Sequence, residues 1–316
     1  MRSPRFLCAV ITACLMLIVH TSAWAEEQPI SIVEDGIEIH GSLLMPATDT
    51  PMPVALIIAG SGPTDRNGNN PVMVNNSLKM LAEGLADYDI ASLRYDKRGV
   101  AQSLSTGIAE TDLRFEDYIQ DAVAWIDLLK ADERFSEVWV IGHSEGSLIG
   151  MVAANEGDAD GFVSLAGIGE SADLALKRQL SGQPEPVRSQ MMSMIDQLKA
   201  GELLGPVDPM FATLFRESVQ PYLISWFRYD PAEWIAKLDV PVLIIQGSTD
   251  IQVTVEDANA LHAASDGQTE LVIIEGMNHI LKDAPMDRAQ NIATYTQADL
   301  PLSEGLLAPI SEAIQR

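Results

Sequence analysis

Apolar residues recur along this chain with two spacings. Continuous apolar runs, of which residues 53–59 are the clearest, are typical of strands buried on both faces of a largely parallel sheet. Residues 115–130 instead repeat apolar side chains every three or four positions, which indicates an amphipathic helix. By these criteria we predict strands at residues 31–33, 37–44, 53–59, 90–95, 138–141, 161–166, 240–246 and 270–274, and helices at residues 76–88, 115–130, 147–154, 255–264 and 303–314.

The order of these elements predicts the fold class. The first two strands form a hairpin turned at Asp35 and Gly36, because an Asp-Gly pair between apolar runs favours a two-residue turn. Strands then alternate with helices, which indicates an α/β fold with a mostly parallel central sheet and helices on both faces. We interpret residues 26–316 as one large domain.

The alternation is interrupted at about residues 169–238, which carry helical patterns and no convincing strand. An all-helical insertion between two sheet strands can cover a site, and its Met and aromatic residues suit the wall of an apolar pocket. We therefore predict that this segment is a helical cap.

Residues 1–25 have the pattern of a secretory signal peptide. Arg2 and Arg5 precede an apolar run that ends in small residues, with a cleavage site before Glu26. The run is shorter than a membrane-spanning helix requires, and a retained anchor or lipidation at Cys14 are the alternatives. We predict export to the periplasm or the extracellular space, with no membrane span after cleavage.

Composition narrows the classes of partner. Cys8 and Cys14 both lie in the leader, so we predict no disulfide and no cysteine metal site in the mature chain. The formal net charge is −25, and loss of Arg2 and Arg5 makes it about −27. Such acidity repels nucleic acids and anionic lipids, and no basic run offsets it, so neither is a predicted partner.

A Gly-x-Ser-x-Gly motif formed by Gly142, Ser144 and Gly146 lies between a predicted strand and a predicted helix. In this context the motif marks a sharp turn that exposes the serine hydroxyl, and larger residues at the glycine positions would clash with neighbouring backbone. Ser144 is therefore the candidate nucleophile.

A serine nucleophile needs a histidine base. His20 lies in the leader, His40 in the first hairpin and His262 in a predicted helix, while His143 adjoins Ser144 and is expected to point elsewhere. Only His279 follows the last predicted strand in a loop, so it is the candidate base.

The acid that orients the histidine is expected between Ser144 and His279 in the chain. Asp250 directly follows the strand predicted at residues 240–246, whereas Asp239 precedes that strand. Asp250 is therefore the candidate acid, with helix capping as its alternative role.

These motifs resemble the α/β-hydrolase superfamily, and within it the serine hydrolase and serine-aminopeptidase-like group. They are Gly-His-Ser-Glu-Gly at 142–146, Gly-Ser-Thr-Asp at 247–250 and Gly-Met-Asn-His at 276–279. Residues 95–103 resemble the group's Asp-x-Arg-Gly-x-Gly-x-Ser segment, with Ala101 in place of the second glycine, and residues 227–231 resemble exported esterase-like members. The resemblance covers nearly the whole mature chain and implies an α/β-hydrolase fold with a helical cap and a Ser-His-Asp triad.

The loop GSGPTDRNGNN, residues 60–70, follows the third strand. It lacks the lysine of a phosphate-binding loop, and Pro63 interrupts a dinucleotide-binding pattern. We predict that the backbone N–H groups of Ser61 and Glu145 form an oxyanion hole, with Gly62 as the alternative to Ser61.

The second half of this loop imitates a calcium site incompletely. Asp65, Asn67 and Asn69 have the spacing of the first EF-hand ligands, but Asn70 and Asn76 replace the required glycine and glutamate. We predict a loop scaffold, shaped by an ion pair between Asp65 and Arg66, and no metal or cofactor.

The leading hypothesis is a secreted serine hydrolase that cleaves carboxylic esters through an acyl-enzyme, acting on a small-molecule ester or a short peptide. The first alternative is an aminopeptidase in which an acidic residue of the cap binds the α-amino group. The candidates for that residue are Glu170, Asp173, Glu185 and Glu202. A thioesterase and a non-catalytic binding protein on the same fold are the further alternatives. These motifs leave the acyl-chain length and the oligomeric state open.

Overall fold

The computed structural model describes residues 25–48, 50–106 and 109–316. Residues 1–24, with nearly all of the predicted signal peptide and both cysteines, lie outside the described residues. The strands are β1 Glu26–Glu34, β2 Ile37–Met45, β3 Met52–Ile58, β4 Ala91–Tyr95, β5 Phe135–His143, β6 Gly161–Leu165, β7 Val242–Gly247 and β8 Glu270–Ile274. The helices are α1 Ser77–Ala86, α2 Phe115–Lys130, α3 Glu145–Glu156, α4 Ala172–Leu180, α5 Val187–Lys199, α6 Ala212–Phe215, α7 Gln220–Trp226, α8 Pro231–Ile235, α9 Val255–Ala264, α10 Arg288–Ala293 and α11 Leu307–Ile314.

The strands form a single sheet of eight strands in the order β1-β2-β4-β3-β5-β6-β7-β8. β1 pairs antiparallel with β2, and β2 pairs antiparallel with β4, whereas the remaining neighbours are parallel. Asp35 and Gly36 both have positive φ, at 51° and 79°, as the tight turn between β1 and β2 requires. The mostly parallel sheet and its N-terminal hairpin are as predicted.

Helices cover both faces of the sheet. On one face, α2, α3 and α9 pack on side chains such as Leu56, Val140 and Ile244. On the other face, α1 and α11 pack on Ile57 and Ile141. The central strands therefore bury apolar side chains in both directions, which is why their sequences are continuous apolar runs.

The observed element bounds follow the apolar pattern closely in the core and less closely at the edge. α2, α9 and β8 have the predicted bounds, whereas β1 begins at Glu26 rather than at residue 31. Along β1 the exposure alternates between exposed and half-buried residues, so its sequence carries only a weak apolar signal. The short helix α10 was not predicted.

Between β6 and β7 the chain forms the helices α4 to α8, and no strand interrupts them in this fully described stretch. The longest of these helices, α5, buries only Met191, Ile195 and Leu198. No helix within the described ranges combines the length and the apolar character needed to cross a lipid bilayer.

Candidate active site

Ser144 lies at a sharp turn between β5 and α3. Its backbone has φ 56° and ψ −121°, a conformation that non-glycine residues rarely adopt. A Cβ atom at Gly142 would lie 2.2 Å from the carbonyl oxygen of Gly146, and one at Gly146 would lie 2.4 Å from the carbonyl oxygen of Ile58. Both glycines are therefore required by close backbone contacts, as the motif indicated.

Ser144, His279 and Asp250 form a hydrogen-bonded chain. The Ser144 Oγ lies 3.1 Å from His279 Nε2, and His279 Nδ1 lies 2.8 Å from Asp250 Oδ2. All three residues are buried, with exposed fractions of 6 to 8%. Because the carboxylate accepts a hydrogen bond from Nδ1–H, the other ring nitrogen is left to accept the serine proton.

Asp250 is held in place by its own turn. Its Oδ1 accepts hydrogen bonds from the backbone N–H groups of Gln252 and Val253, at 2.8 and 3.0 Å, and Oδ2 accepts one from Gln246 Nε2 at 3.2 Å. Burial by itself raises the pKa of Asp250, but the charge of His279, the hydrogen bond from its ring and the two backbone hydrogen bonds outweigh burial, so the net pKa is lowered. The carboxylate therefore stays ionised beside the imidazole.

The loop that carries His279 is fixed by Asn278, which is fully buried. The Asn278 Oδ1 accepts hydrogen bonds from the backbone of Ile280 and Lys282, and Nδ2 donates to Thr294 Oγ1 at 2.9 Å. This side chain therefore fixes the backbone on which the imidazole is mounted.

His143 supports the same loop, a role that the sequence did not indicate. Its Nε2 lies 2.7 Å from the carbonyl oxygen of His279, and the two ring centroids are 4.9 Å apart. Burial, and then the proximity of His279, lower the pKa of His143 to about 4. The neutral ring therefore donates a hydrogen bond that connects the strand before Ser144 to the loop of the candidate base.

The loop after β3 lies beside the nucleophile. A Cβ atom at Gly60 would be 3.2 Å from the Cβ of Ser144. Ser61 and Gly62 line a cavity together with Ser144 and Glu145, so both candidate oxyanion donors lie near the nucleophile. The Glu145 side chain is buried and accepts hydrogen bonds from Lys97 Nζ, at 2.8 Å, and Tyr222 Oη, at 2.7 Å.

Lys97 and Tyr222 were not identified from the sequence as part of this region. Lys97 lies two residues after β4, and the carboxyl ends of neighbouring parallel strands meet at one edge of the sheet, where ligands commonly bind. The position of Lys97 at this edge is the sequence feature from which its place near the site could have been predicted. Tyr222 comes from α7, and its approach to Glu145 depends on how the helices fold back over the sheet.

The second half of the glycine-rich loop is a hydrogen-bonded scaffold. Asp65 Oδ1 accepts hydrogen bonds from the backbone N–H groups of Asn67 and Asn69, at 2.8 and 2.9 Å. The predicted Asp65–Arg66 ion pair is wrong, because Arg66 pairs with Asp96 at 2.6 Å, and both side chains are buried. Asp96 directly follows β4 and accepts hydrogen bonds from the backbone N–H of Arg66 on Oδ1, at 2.8 Å, and from Nη2 of Arg66 on Oδ2, at 2.6 Å.

The oxygen atoms that imitated a calcium site are used within the protein. Asn69 Oδ1 accepts hydrogen bonds from the backbone of Asn75 and Asn76, each at 2.9 Å, and Asn67 Oδ1 accepts one from Arg94. Among residues 25–48, 50–106 and 109–316, no cluster of three or more His, Asp or Glu side chains is arranged to hold a metal ion.

A cavity of about 600 Å³ opens at Ser144. Its floor consists of Ser61, Gly62, Ser144 and Glu145. What we call the helical wall consists of the cavity-lining residues of α4, α6 and α7, among them Ala172, Ala175, Leu176, Leu214, Leu223 and Trp226. The space next to the nucleophile is therefore enclosed largely by apolar side chains.

The carboxylates that line the cavity are engaged by other residues. Glu110 pairs with Arg216 and accepts a hydrogen bond from Ser218, and Glu145 is held by Lys97 and Tyr222. The four acidic residues considered for binding an α-amino group do not line the cavity. Three of them have partners elsewhere: Glu170 with Arg178, Asp173 with Lys199 and Glu185 with Arg188.

The chain is similar in sequence to a known family and to a curated esterase. Residues 75–220 match the sequence model of the family described as serine aminopeptidase, S33. The chain is 27% identical over 275 residues to the esterase EstD of Thermotoga maritima, an alignment that covers 80% of this chain and 61% of that relative. The chain therefore spans about 61% of the length of this curated relative.

Solved structures with the same fold cover almost the whole chain. Est1E from Butyrivibrio proteoclasticus, bound to ferulic acid, superposes with a TM-score of 0.61 and 21% identity, covering 91% of this chain and all of that one. The Pyrococcus furiosus esterase Pf2001 superposes with a TM-score of 0.58 and 16% identity, covering 92% of this chain and 91% of that one. The chain has the α/β-hydrolase fold.

The matched family region and the candidate triad of this chain overlap only in part. Residues 75–220 include Ser144 and most of the helical segment, but they end before Asp250 and His279. The placement of those two residues therefore rests on the geometry described above.

Proposed function

We propose that the protein is an exported serine hydrolase that cleaves carboxylic esters. The observation that carries this proposal is the hydrogen-bonded chain of Ser144, His279 and Asp250, in which Ser144 lies at the floor of a largely apolar cavity. That combination of nucleophile, base and acid beside a space for an acyl or alcohol group is what ester hydrolysis requires.

The proposed reaction follows from the positions of these groups. Ser144 Oγ attacks the ester carbonyl carbon while His279 Nε2 takes the hydroxyl proton, and Asp250 stabilises the resulting imidazolium. The backbone N–H groups of Ser61 and Glu145 stabilise the negative oxygen of the tetrahedral intermediate. His279 then protonates the leaving alcohol, and water releases the acid from the acyl-enzyme by the same steps.

The substrate class follows from the cavity and the relatives. The apolar lining and the volume of about 600 Å³ suit a medium-sized apolar or aromatic group. EstD and Pf2001 are named esterases, and Est1E was solved with ferulic acid, an aromatic carboxylic acid. We propose a small-molecule ester with such a group as the substrate.

An aminopeptidase is the second candidate, because the matched family carries that description. An α-amino group needs a carboxylate that is free to bind it in the cavity. The lining carboxylates Glu110 and Glu145 already have cationic partners, so the described residues favour the ester over the peptide. A thioesterase is disfavoured, because export would separate the protein from most cytoplasmic thioesters. The support for export is the leader sequence.

The experiment that tests the proposal compares the wild type with Ser144→Ala on a panel of short esters, long esters and aminoacyl anilides. We expect the wild type to favour esters and Ser144→Ala to lose turnover and labelling by a fluorophosphonate. Ser147→Ala is the matched control, because the hydroxyl of this buried serine on α3 is hydrogen-bonded to Ser164 Oγ and its loss should leave turnover intact. Retained turnover in Ser144→Ala would refute the assignment.

Localisation is tested separately. We expect fractionation of expressing cells to place the protein outside the cytoplasm, with a mature N-terminus at Glu26. A cytoplasmic protein that retains Met1 would contradict export and leave the proposed chemistry untouched.

A further inference from the structure

A buried ammonium group connects the two sides of the candidate oxyanion hole. Lys97 Nζ donates hydrogen bonds to the carbonyl oxygen of Gly60, at 2.7 Å, and to Glu145 Oε2, at 2.8 Å. The side chains of Lys97 and Glu145 are only 1% and 2% exposed, so water does not compete for these contacts. Tyr118 covers the ammonium group with its ring, whose centroid lies 4.8 Å from Nζ.

The contact with Gly60 fixes the direction of a neighbouring N–H group. The carbonyl of Gly60 and the N–H of Ser61 belong to the same peptide unit, which is planar and trans, so the two bonds point in opposite directions. Because Lys97 holds the carbonyl oxygen on the side of the Glu145 carboxylate, the N–H of Ser61 points to the opposite side. Ser61 lines the cavity there together with Ser144.

The second contact of Lys97 is with the side chain of Glu145, the residue that carries the other candidate N–H donor. Glu145 is the first residue of α3, and its own backbone N–H is the second proposed donor. Its carboxylate is held by Lys97 on Oε2 and by Tyr222 on Oε1. One lysine therefore contacts both the peptide group that carries the Ser61 N–H and the side chain of Glu145, the two residues proposed as oxyanion donors.

We propose that Lys97 is a positioning residue that orients the Ser61 N–H toward the oxyanion. This inference rests on the proposed function, and it selects Ser61 over Gly62 as the donor from this loop. A positioning role predicts an effect on the transition state with little effect on substrate binding, because the oxyanion forms only during the reaction.

The comparison of two variants isolates the contact with Gly60. Glu145→Gln removes the ion pair but leaves Lys97 on the carbonyl oxygen of Gly60, and we expect its kcat to fall less than about 10-fold. Lys97→Met combined with Glu145→Gln also removes that contact without leaving an unpaired buried charge, and we expect its kcat to fall about 100-fold, which approaches the loss of one oxyanion donor. KM should stay within about threefold in both, while the affinity for a boronic acid analogue of the tetrahedral intermediate falls in parallel with kcat.

The matched control is the double variant Arg66→Met with Asp96→Asn. It removes another buried ion pair that anchors the same loop, but this pair contacts neither Gly60 nor Ser61. We expect a lower unfolding midpoint and an unchanged kcat. The proposal is overturned if the double variant at Lys97 and Glu145 loses no more kcat than this control or than Glu145→Gln alone, or if KM rises while kcat is retained.

A measurement on the wild type decides the question if the double variant does not fold. In a crystal structure of the fluorophosphonate adduct at Ser144, the phosphoryl oxygen should accept hydrogen bonds from the N–H groups of Ser61 and Glu145, with Lys97 still on the carbonyl oxygen of Gly60. Donation from Gly62 in place of Ser61 would overturn the inference. A wild type that neither hydrolyses esters nor reacts with the fluorophosphonate would instead refute the proposed function.

Discussion

At the floor of the cavity, Ser144 lies where three backbone segments approach closely, whereas the helical wall opposite it meets the rest of the protein through side chains. At the floor, Gly146 packs against the backbone at the end of β3, and Gly142 packs against the backbone of Gly146 and Ser147, within distances that no Cβ atom could occupy. In the wall, the Trp226 ring stacks on Phe115, with centroids 6.1 Å apart, and Tyr222 contacts Tyr118 edge to face. The two regions thus depend on different kinds of contact.

This difference has a functional meaning. Backbone contacts and buried hydrogen bonds hold reacting groups to within a fraction of an ångström, as catalysis requires. Apolar side chains can be exchanged with less disturbance of the fold, so they are suited to setting which substrate fits. We therefore expect substitutions at the floor to change the rate or the stability, and substitutions in the helical wall to change substrate preference.

The largest expected effect is that of Asp250→Asn. The amide cannot stabilise the imidazolium by charge, and it can favour the wrong tautomer of His279, so kcat should fall by about 10⁴-fold with little change in unfolding free energy. Asp239→Asn is the control, since this exposed aspartate precedes β7 at the opposite end of the strand. Similar kcat values for the two variants would remove Asp250 from the proposed triad.

The next largest effect is that of Gly146→Ala. The new Cβ would lie 2.4 Å from the carbonyl oxygen of Ile58 and 2.7 Å from that of Ala59, so the turn and β3 must separate. We expect a loss of about 3 kcal/mol in unfolding free energy, measured by urea denaturation. Gly182→Ala, where a Cβ meets no atom within 4 Å, should cost much less. Equal losses would show that the close backbone approach at the floor is not what limits stability.

A decrease in pH is expected to reduce the unfolding free energy by a comparable amount, because His143 becomes protonated on unfolding. In the unfolded chain its pKa is near the ordinary 6.5, whereas burial lowers it to about 4 in the folded protein. Between these values the unfolded state binds the additional proton, so stability falls as the pH drops from about 6.5 to about 4, by about 3 kcal/mol in all.

His143→Gln tests this account, because the amide has a donor near the position of Nε2 but does not titrate. Urea unfolding midpoints at pH 7 and pH 4.5 should differ less in His143→Gln than in the wild type. The groups that face His143 are His279 and Asp250, which are retained in the variant. An equally steep pH dependence in both proteins would assign the acid sensitivity to another group.

The smallest expected effect lies in the helical wall. Leu176→Trp fills part of the cavity from α4, so kcat/KM for a long acyl ester should fall about 10-fold relative to that for an acetate ester. Leu174→Trp places the same side chain on an exposed position of α4 that does not line the cavity, and should leave the ratio unchanged. A loss of activity on both esters in Leu176→Trp would mean that the wall, like the floor, holds the reacting groups.

Much of the fold was predictable because its signals are local. The apolar runs of the central strands, the Asp35-Gly36 turn and the bounds of α2 each depend on residues near one another in the chain. The candidate nucleophile was identified in the same way, since Gly142 and Gly146 are required by the turn that contains Ser144. His279 and Asp250 were selected by elimination among few candidates after strand ends, and they lie near Ser144 because parallel strands bring their carboxyl ends together.

The contacts that the sequence did not predict have a common physical cause. Arg66 pairs with Asp96 rather than with Asp65, His143 contacts the carbonyl of His279, and Lys97 joins Gly60 to Glu145. Each contact joins polar groups that are far apart in sequence. A buried polar group must have a hydrogen-bonding partner, but burial alone does not determine which group that partner is.

The sequence by itself determined the order of strands and helices, the turn at Ser144 and the small set of residues from which a triad could be built. The tertiary structure decided which polar groups meet at the sheet edge and how the helices between β6 and β7 enclose the cavity. The reason is that periodicity and glycine positions encode local backbone geometry. The partner of a buried charge or carbonyl, in contrast, depends on which strand ends become neighbours when the sheet assembles.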